Sequence, residues 1–443
     1  MSIQQPGQVG REAQDKKIML RDTLQDIRVI DFSHVVAGPV CGMMLADMGA
    51  DVVKVESPDG ELGRAIGPPW LNGESVAFLS VNRNKRGLAV DLRQQGARDA
   101  VMKMAARAHV IVESFRPGVM ERLGLDYAAV AKLNPGVVYC SISAYGQSGA
   151  QRHMPGVDGV IQAVTGLMST LGTAGSPPSK VPVPIADMAT GYLATIGILA
   201  ALRKAERTGQ GQHIDISLYN ATLMLQQLGL AFFFASGDEP QKTGSAAPYA
   251  SPNEAFPTLD GWIMVAAYQP ERWRRLCELL RRPDLFEDPR FASNAQRVDN
   301  RAVLNELLSE SFRMQSTPSW MEQLEAVDIL CAPIASYSEV TRSLQYCQSG
   351  VETSIVHPVA GLVRMPGFAL GDAQTISAPH MPPPMLGEHS TRILSDYGLT
   401  ADEIAALVSR GAVSQAAAMG CDDLRTPFPS PQPSASGPAI RND

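Results

Sequence analysis

Between residues 27 and 145 the chain alternates short β-rich runs with helical segments. Ile27 to Phe32 is the first such run. Gly38-Pro39 follows, then an apolar segment that stops at Gly49, the pattern of a helix closed by a glycine just past its C-terminus. Val52 to Glu56 reads as the next strand. The alternation goes on with Leu88 to Leu92 as a strand, Ala97 to Ala108 as a helix and Val110 to Glu113 as a strand. Gly118 to Leu133 is largely helical in pattern, and Val137 to Ile142 is again strand-like. Strands joined by helical crossovers build a parallel sheet, so the expected fold class is α/β with a large, doubly wound, Rossmann-like domain.

Further along, Val181 to Ile185 is extended and interrupted by proline, and Asp187 then precedes a strongly apolar helix ending near Thr208-Gly209. The uncharged part of that helix, Met188 to Leu202, is shorter than the roughly 20 residues a membrane span needs, and reads as a buried helix. Gly261 to Tyr268 opens a second, mostly helical α/β unit in which Val303, Leu304, Leu307 and Leu308 keep helical spacing. The expected layout is a flexible segment at 1–26, the large domain at 27–239, and a smaller α/β domain at 240–345. A segment at 346–420, with a Pro382 to Pro384 turn and a last helix near Thr400 to Ser409, returns to the large domain. Residues 421–443, with four prolines between Pro427 and Pro433, read as a disordered tail.

Composition narrows the chemistry. A chain of 443 residues with 45% apolar content can bury more than one core. Its net charge of -7 has the wrong sign for a partner that is a polyanion, which argues against nucleic acid. Six scattered cysteines without a Cys-x-x-Cys pair, and a polar N-terminus without a signal-like apolar run, suit reduced thiols in a cytoplasmic protein. There is no phosphate loop, no His-Glu-x-x-His, no nucleophile elbow, and no pair of histidines at helical metal-ligand spacing, so no metal is expected. A dinucleotide fingerprint is also missing, since Val36-Ala37-Gly38-Pro39-Val40 follows the first strand.

Two features stay ambiguous on local grounds. Asp187 stands where an extended segment meets a helix, the position of an N-cap, yet the same placement suits a catalytic carboxylate. Asn82-Arg83-Asn84-Lys85-Arg86 is either a solvated loop or a phosphate-binding patch.

Over roughly residues 25 to 415 the chain resembles the class III CoA-transferase (CaiB/BaiF) family. The resemblance is carried by Asp31-Phe32-Ser33-His34-Val35-Val36-Ala37-Gly38-Pro39, by Asp47 to Glu56, and by the Asn82 to Arg86 run. Glu113-Ser114-Phe115-Arg116-Pro117-Gly118, Ala186-Asp187-Met188-Ala189-Thr190-Gly191 and Pro382 to His389 complete it. The resemblance implies that Asp187 is the residue acylated during turnover. It places His34 and Ala37 along coenzyme A, with Lys85, Arg86, Phe115 and Arg122 towards its nucleotide. It further implies an interlocked homodimer, acyl-CoA and carboxylic acid substrates, CoA thioester as substrate rather than a tightly bound cofactor, and no membrane partner. Val36 and Ser57 depart from the oxalate-specific members, and the segment from Tyr139 to Gly191 is most similar to members that use succinyl-CoA and a small dicarboxylate. The family also holds α-methylacyl-CoA racemases, whose proton-carrying histidine aligns with Val157. A non-catalytic acyl-CoA-binding protein is the other alternative.

Overall fold

The computed structural model describes residues 20–371 and 380–416; the tail at 421–443 and residues 1–19 lie outside it. Valine and isoleucine dominate the central strands, as expected where helices cover both faces of a sheet. β1 (Arg28–Asp31), β2 (Asp51–Glu56), β3 (Lys85–Val90), β4 (Val110–Glu113), β5 (Val138–Ser143) and β6 (Gln212–Ser217) are parallel. β7 (Val413–Ser414) pairs antiparallel with β3. The spatial order is β7-β3-β2-β1-β4-β5-β6. The chain therefore builds outwards from β1 to β3, then crosses back to start the other half at β4. Ligands of open parallel sheets bind at the carboxyl ends of the strands where the order reverses. Here that place is the gap between the ends of β1 and β4.

One face of the sheet carries α1 (Ala37–Asp47) and the long helix α3 (Ile185–Thr208), with α2 (Asp158–Val164) and α4 (Leu218–Leu225) alongside and α5 (Gln227–Ser236) after them. The other face is covered by the helix Gln95–Ala105 and by the C-terminal helices Ser390–Asp396 and Ala401–Ser409. Leu20 and Leu24 pack against the first of these cores. Residues 253–333 form a separate three-stranded antiparallel sheet with helices around a core that includes Phe256, Trp273, Phe312 and Trp320. The hairpin Glu352–His357 and Gly361–Pro366 packs on Leu79.

The predicted helix at Gly118 to Leu133 is two short helices, Val119–Leu123 and Tyr127–Leu133, broken at Gly124, whose φ of 69° ends the first one. The strand expected at Leu88 starts instead at Lys85, which draws the cationic run out of the loop and into the sheet. The run is therefore not a solvated loop. The Lys85 ammonium is fully buried and donates to Asp31 Oδ2 at 2.9 Å, to the Pro39 carbonyl at 2.8 Å and to Asn82 Oδ1 at 2.8 Å. Arg83 pairs with Asp47, while Arg86 bridges Asp51 and Asp396. All three cations are thus neutralised by carboxylates of the chain itself.

A buried pair costs desolvation when it forms, but breaking it leaves a lone charge in the interior. Lys85→Ala is expected to lower stability by roughly 3–5 kcal/mol, read as a lower midpoint in urea unfolding, because Asp31 would lose its counter-ion.

Candidate active site

The site grows from the loop that leaves β1. Asp31 accepts the backbone amide of Ser33 at 2.9 Å and the Ser33 hydroxyl as well, while the buried Lys54 ammonium donates to the Ser33 carbonyl. Burial alone would raise the Asp31 carboxyl, but Lys85 and Lys54 hold it below the usual range. The His34 amide donates to the Ser114 hydroxyl at 2.9 Å, and the Val35 amide to Glu61 at 3.0 Å. These bonds keep Val35 at a φ of 68°, a left-handed conformation that costs a β-branched residue about 1–3 kcal/mol. Such strain persists only where the surroundings over-determine it, and here it turns the loop up at the sheet's switch point. The His34 ring then meets Phe115 edge-on, with centroids 5.0 Å apart. Burial first, and the nearby Lys54 charge second, lower the His34 imidazole, which favours its neutral form.

Asp187 enters from the other side. Helix α3 begins at Ile185 with Pro184 at its N-cap, so Asp187 is inside the first turn and is not the cap that its sequence position suggested. The cap comes from elsewhere: Asp158 Oδ2 accepts the Ala186 amide at 2.8 Å. The half-buried Asp187 carboxylate accepts no hydrogen bond among the described residues. Burial, with the Asp158 charge as a second cause, pushes its pKa up to about 7. Gly191, one turn on, lets α3 approach α1 closely; a Cβ there would stand 2.6 Å from the Ala37 carbonyl.

Loop and helix enclose a cleft of about 480 Å3. Asp187, His34, Ala37 and Phe115 share its wall, which is otherwise mainly apolar, with Val36, Val157, Val160 and Leu218 among its lining. The amides of Ala37 and Gly38, at the start of α1, have no partner among the described residues. Two exposed cations without a carboxylate partner there, Arg116 and Arg152, also line it. Sequence reasoning had not singled these out as ligands, nor Asp158 as a cap. An arginine in a loop reads as a solvated charge until the fold shows what it faces.

The other expected CoA contacts do not converge on this wall. Arg122 is exposed on the helix Val119–Leu123, outside the cleft lining. Lys85 and Arg86 belong to the opposite, N-terminal end of β3 and border a different cavity with His389 and Arg392. Their charges are paired with Asp31, Asp51 and Asp396. A neighbouring cavity, sharing Arg116 and Pro117, contains buried Glu113, raised to about 7 chiefly by burial. Among the described residues no cluster of His, Cys, Asp or Glu could hold a metal ion.

Fold and cleft describe an α/β enzyme built for group transfer: a switch-point crevice, an unbonded carboxylate, free helix amides and unpaired cations. The chain belongs to CoA-transferase family III, whose model matches residues 24–390, and it is a transferase acting on CoA thioesters. It is 35% identical to the succinyl-CoA:glutarate CoA-transferase of Mus musculus, over 88% of this chain and 90% of that protein. It is 32% identical to the succinyl-CoA:mesaconate CoA-transferase of Haloarcula hispanica, over 85% and 96%. The crystal structure of a CaiB/BaiF family protein from Brucella suis matches with a TM-score of 0.74 and 32% identity, over 85% of this chain and 99% of that one.

A carboxyl group whose pKa is raised by folding contributes stability that is complete below its unfolded value, about 4, and is lost as pH rises through the folded one. Asp187→Asn is therefore expected to be more thermostable than the parent at pH 8, by about 1 kcal/mol after allowing for solvent screening, with the gap closing towards pH 4. Thermal unfolding of both proteins across that range checks it.

Proposed function

We propose that this enzyme moves CoA from succinyl-CoA to a small dicarboxylic acid such as glutarate, with Asp187 as the residue that carries the acyl group. The observation that carries the proposal is the Asp187 carboxylate itself, half-buried, unbonded, and set in an apolar cleft at the switch point. The names of the relatives in Mus musculus and Haloarcula hispanica support the choice of donor and acceptor class. Arg116 and Arg152 suit the phosphates of CoA or the second carboxylate of the acid.

The steps balance without water. An Asp187 oxygen attacks the thioester carbonyl, the C–S bond breaks, and a mixed anhydride and CoA thiolate result. The thiolate attacks the aspartyl carbonyl of that anhydride, expelling the first acid as its carboxylate and leaving an aspartyl-CoA thioester. The incoming carboxylate displaces the thiolate to form a second anhydride. Attack of the thiolate on the new acyl carbon then gives the product thioester and restores Asp187. Each tetrahedral oxyanion needs donors, and the Ala37 amide at the start of α1, with Ala37 in the cleft lining, is free to supply one. The apolar wall keeps water from the anhydrides. A racemase would need a proton carrier where Val157 lines the cleft.

A homodimer belongs to the same proposal. Helix α5 buries none of its residues, and Leu228, Phe232 and Phe234, with Met224 and Leu225 of α4 before them, are exposed. An apolar surface of that extent is normally covered by a partner, and a second copy of the chain is the occupant we propose.

Incubation with succinyl-CoA and glutarate is expected to yield a new thioester detectable by mass, and hydroxylamine to trap the acylated Asp187. Asp187→Ala is expected to lose transfer by at least about a thousandfold, as for removal of other covalent nucleophiles; a merely CoA-binding protein would be indifferent to it. In sedimentation the protein should run at about twice its 47.5 kDa chain mass, and Phe234→Asp with Leu228→Asp should shift it towards monomer.

A further inference from the structure

We propose that Asp158 is the positioning residue of the reaction: by capping α3 from outside the helix it leaves the Asp187 carboxylate free to face substrate and sets a like charge near it. The inference rests on Asp187 being the acylated group.

The first amides of a helix have no partner within it, and acidic side chains of the first turn compete to satisfy them. A carboxylate at the third helical position ordinarily reaches back to the amide of the N-cap residue. Here that residue is Pro184, which has no N–H to offer. The amide of Ala186 is taken by Asp158 at 2.8 Å. Two local attractions that would tie down the Asp187 oxygens are thereby removed, one by proline and the other by a residue on a different helix.

Asp158 is itself held firmly. It is buried at the start of α2, and its other oxygen accepts from Gln162 Nε2 at 2.6 Å. Gln162 in turn accepts the Val181 amide at 2.9 Å and donates to the Val181 carbonyl at 3.2 Å. The pair on one face of α2 therefore grips the extended segment at both of its ends and fixes where α3 begins. If the segment were released, the first turn of α3 could fray and Asp187 would lose its aim.

The charge of Asp158 acts in the same direction. A like charge disfavours ionisation of Asp187, and a more basic carboxylate is a stronger nucleophile once ionised. Among the described residues the other charged or titratable groups near this region include Lys180, whose ammonium would stand 3.8 Å from a Cβ built on Gly159. His34 comes from the loop after β1, and Arg116 and Arg152 from the loops across the cleft. Of the helices packed on α3, α1 carries Cys41, placed further along by its bond to Thr195, and Asp47 at its far end; α4 carries Tyr219.

The test compares the parent, Asp158→Asn and Asp158→Ala with succinyl-CoA and glutarate, in pH–rate profiles and in amide exchange of the 181–190 segment read by mass. In Asp158→Asn, which loses the charge and keeps an acceptor oxygen, the acid limb of kcat should move to lower pH by about half a unit or more. In Asp158→Ala, kcat should fall at least about tenfold with KM for succinyl-CoA within about twofold, and the amides at 185–188 should exchange faster. An Asp158→Asn limb superimposable on the parent's, together with undiminished kcat in Asp158→Ala, overturns the inference. Should Asp158→Ala fail to fold, the Asp158→Asn profile decides alone: a limb that moves down supports the inference and one that stays overturns it. Loss of transfer in Asp187→Ala with parent-like Asp158 variants rejects the positioning role and leaves the nucleophile intact, whereas undiminished transfer in Asp187→Ala rejects the nucleophile itself.

Discussion

The close approach of α1 to α3 at Gly191 is the constraint on which the site depends. Two helices usually pack with their axes 8–10 Å apart, and a small residue at the contact lets them come nearer. Gly191 lies against the Ala37 carbonyl and Val40, where a side chain would collide with backbone as well as with Val40. One turn before Gly191 stands Asp187, and at the start of α1 is Ala37. The contact thus sets the Asp187 carboxylate and the start of α1 at Ala37 on the same cleft. Both helices in turn rest on a sheet whose valine-rich strands leave little slack, since protein interiors pack as densely as organic crystals.

Beneath the cleft the charged residues divide into two groups with different work. Lys54, Lys85, Arg64, Arg83 and Arg86 are bound to carboxylates inside the fold and fix the loops at the ends of the strands. Arg116 and Arg152 remain open to the cleft. A protein with a net charge of -7 can bind a polyphosphate-bearing substrate on this division, because what a ligand meets is the local field and not the sum over the chain. Counting cations along the sequence would rank the Asn82 to Arg86 run first, yet that run is where the charge is most completely spent.

The apolar helix α3 shows how composition and context separate. Its 24 residues are long and apolar enough to cross a membrane by length and hydropathy alone, although the uncharged part, Met188 to Leu202, is shorter than a span and reads as a buried helix. Half of its apolar window is buried inside the fold, against α1 and the β5 and β6 side of the sheet. The remainder includes exposed Tyr192 and Ile196.

The strands and most helices could be read from the chain because β-branched runs, glycine stops and helical spacing act through neighbours a few residues apart, and those forces operate before any tertiary contact exists. The family motifs likewise marked Asp187, His34, Ala37 and Phe115, which the fold brings to one wall. What local pattern left open was the employment of each polar group. Whether Asp187 caps its helix turned on Asp158, a residue of another helix that takes the Ala186 amide, and which carboxylates Lys85 and Arg86 pair with turned on Asp31, Asp51 and Asp396, each on a separate strand or helix. A charge takes its role from the partner that lies within a few ångströms, and only the folded chain decides which residue that is.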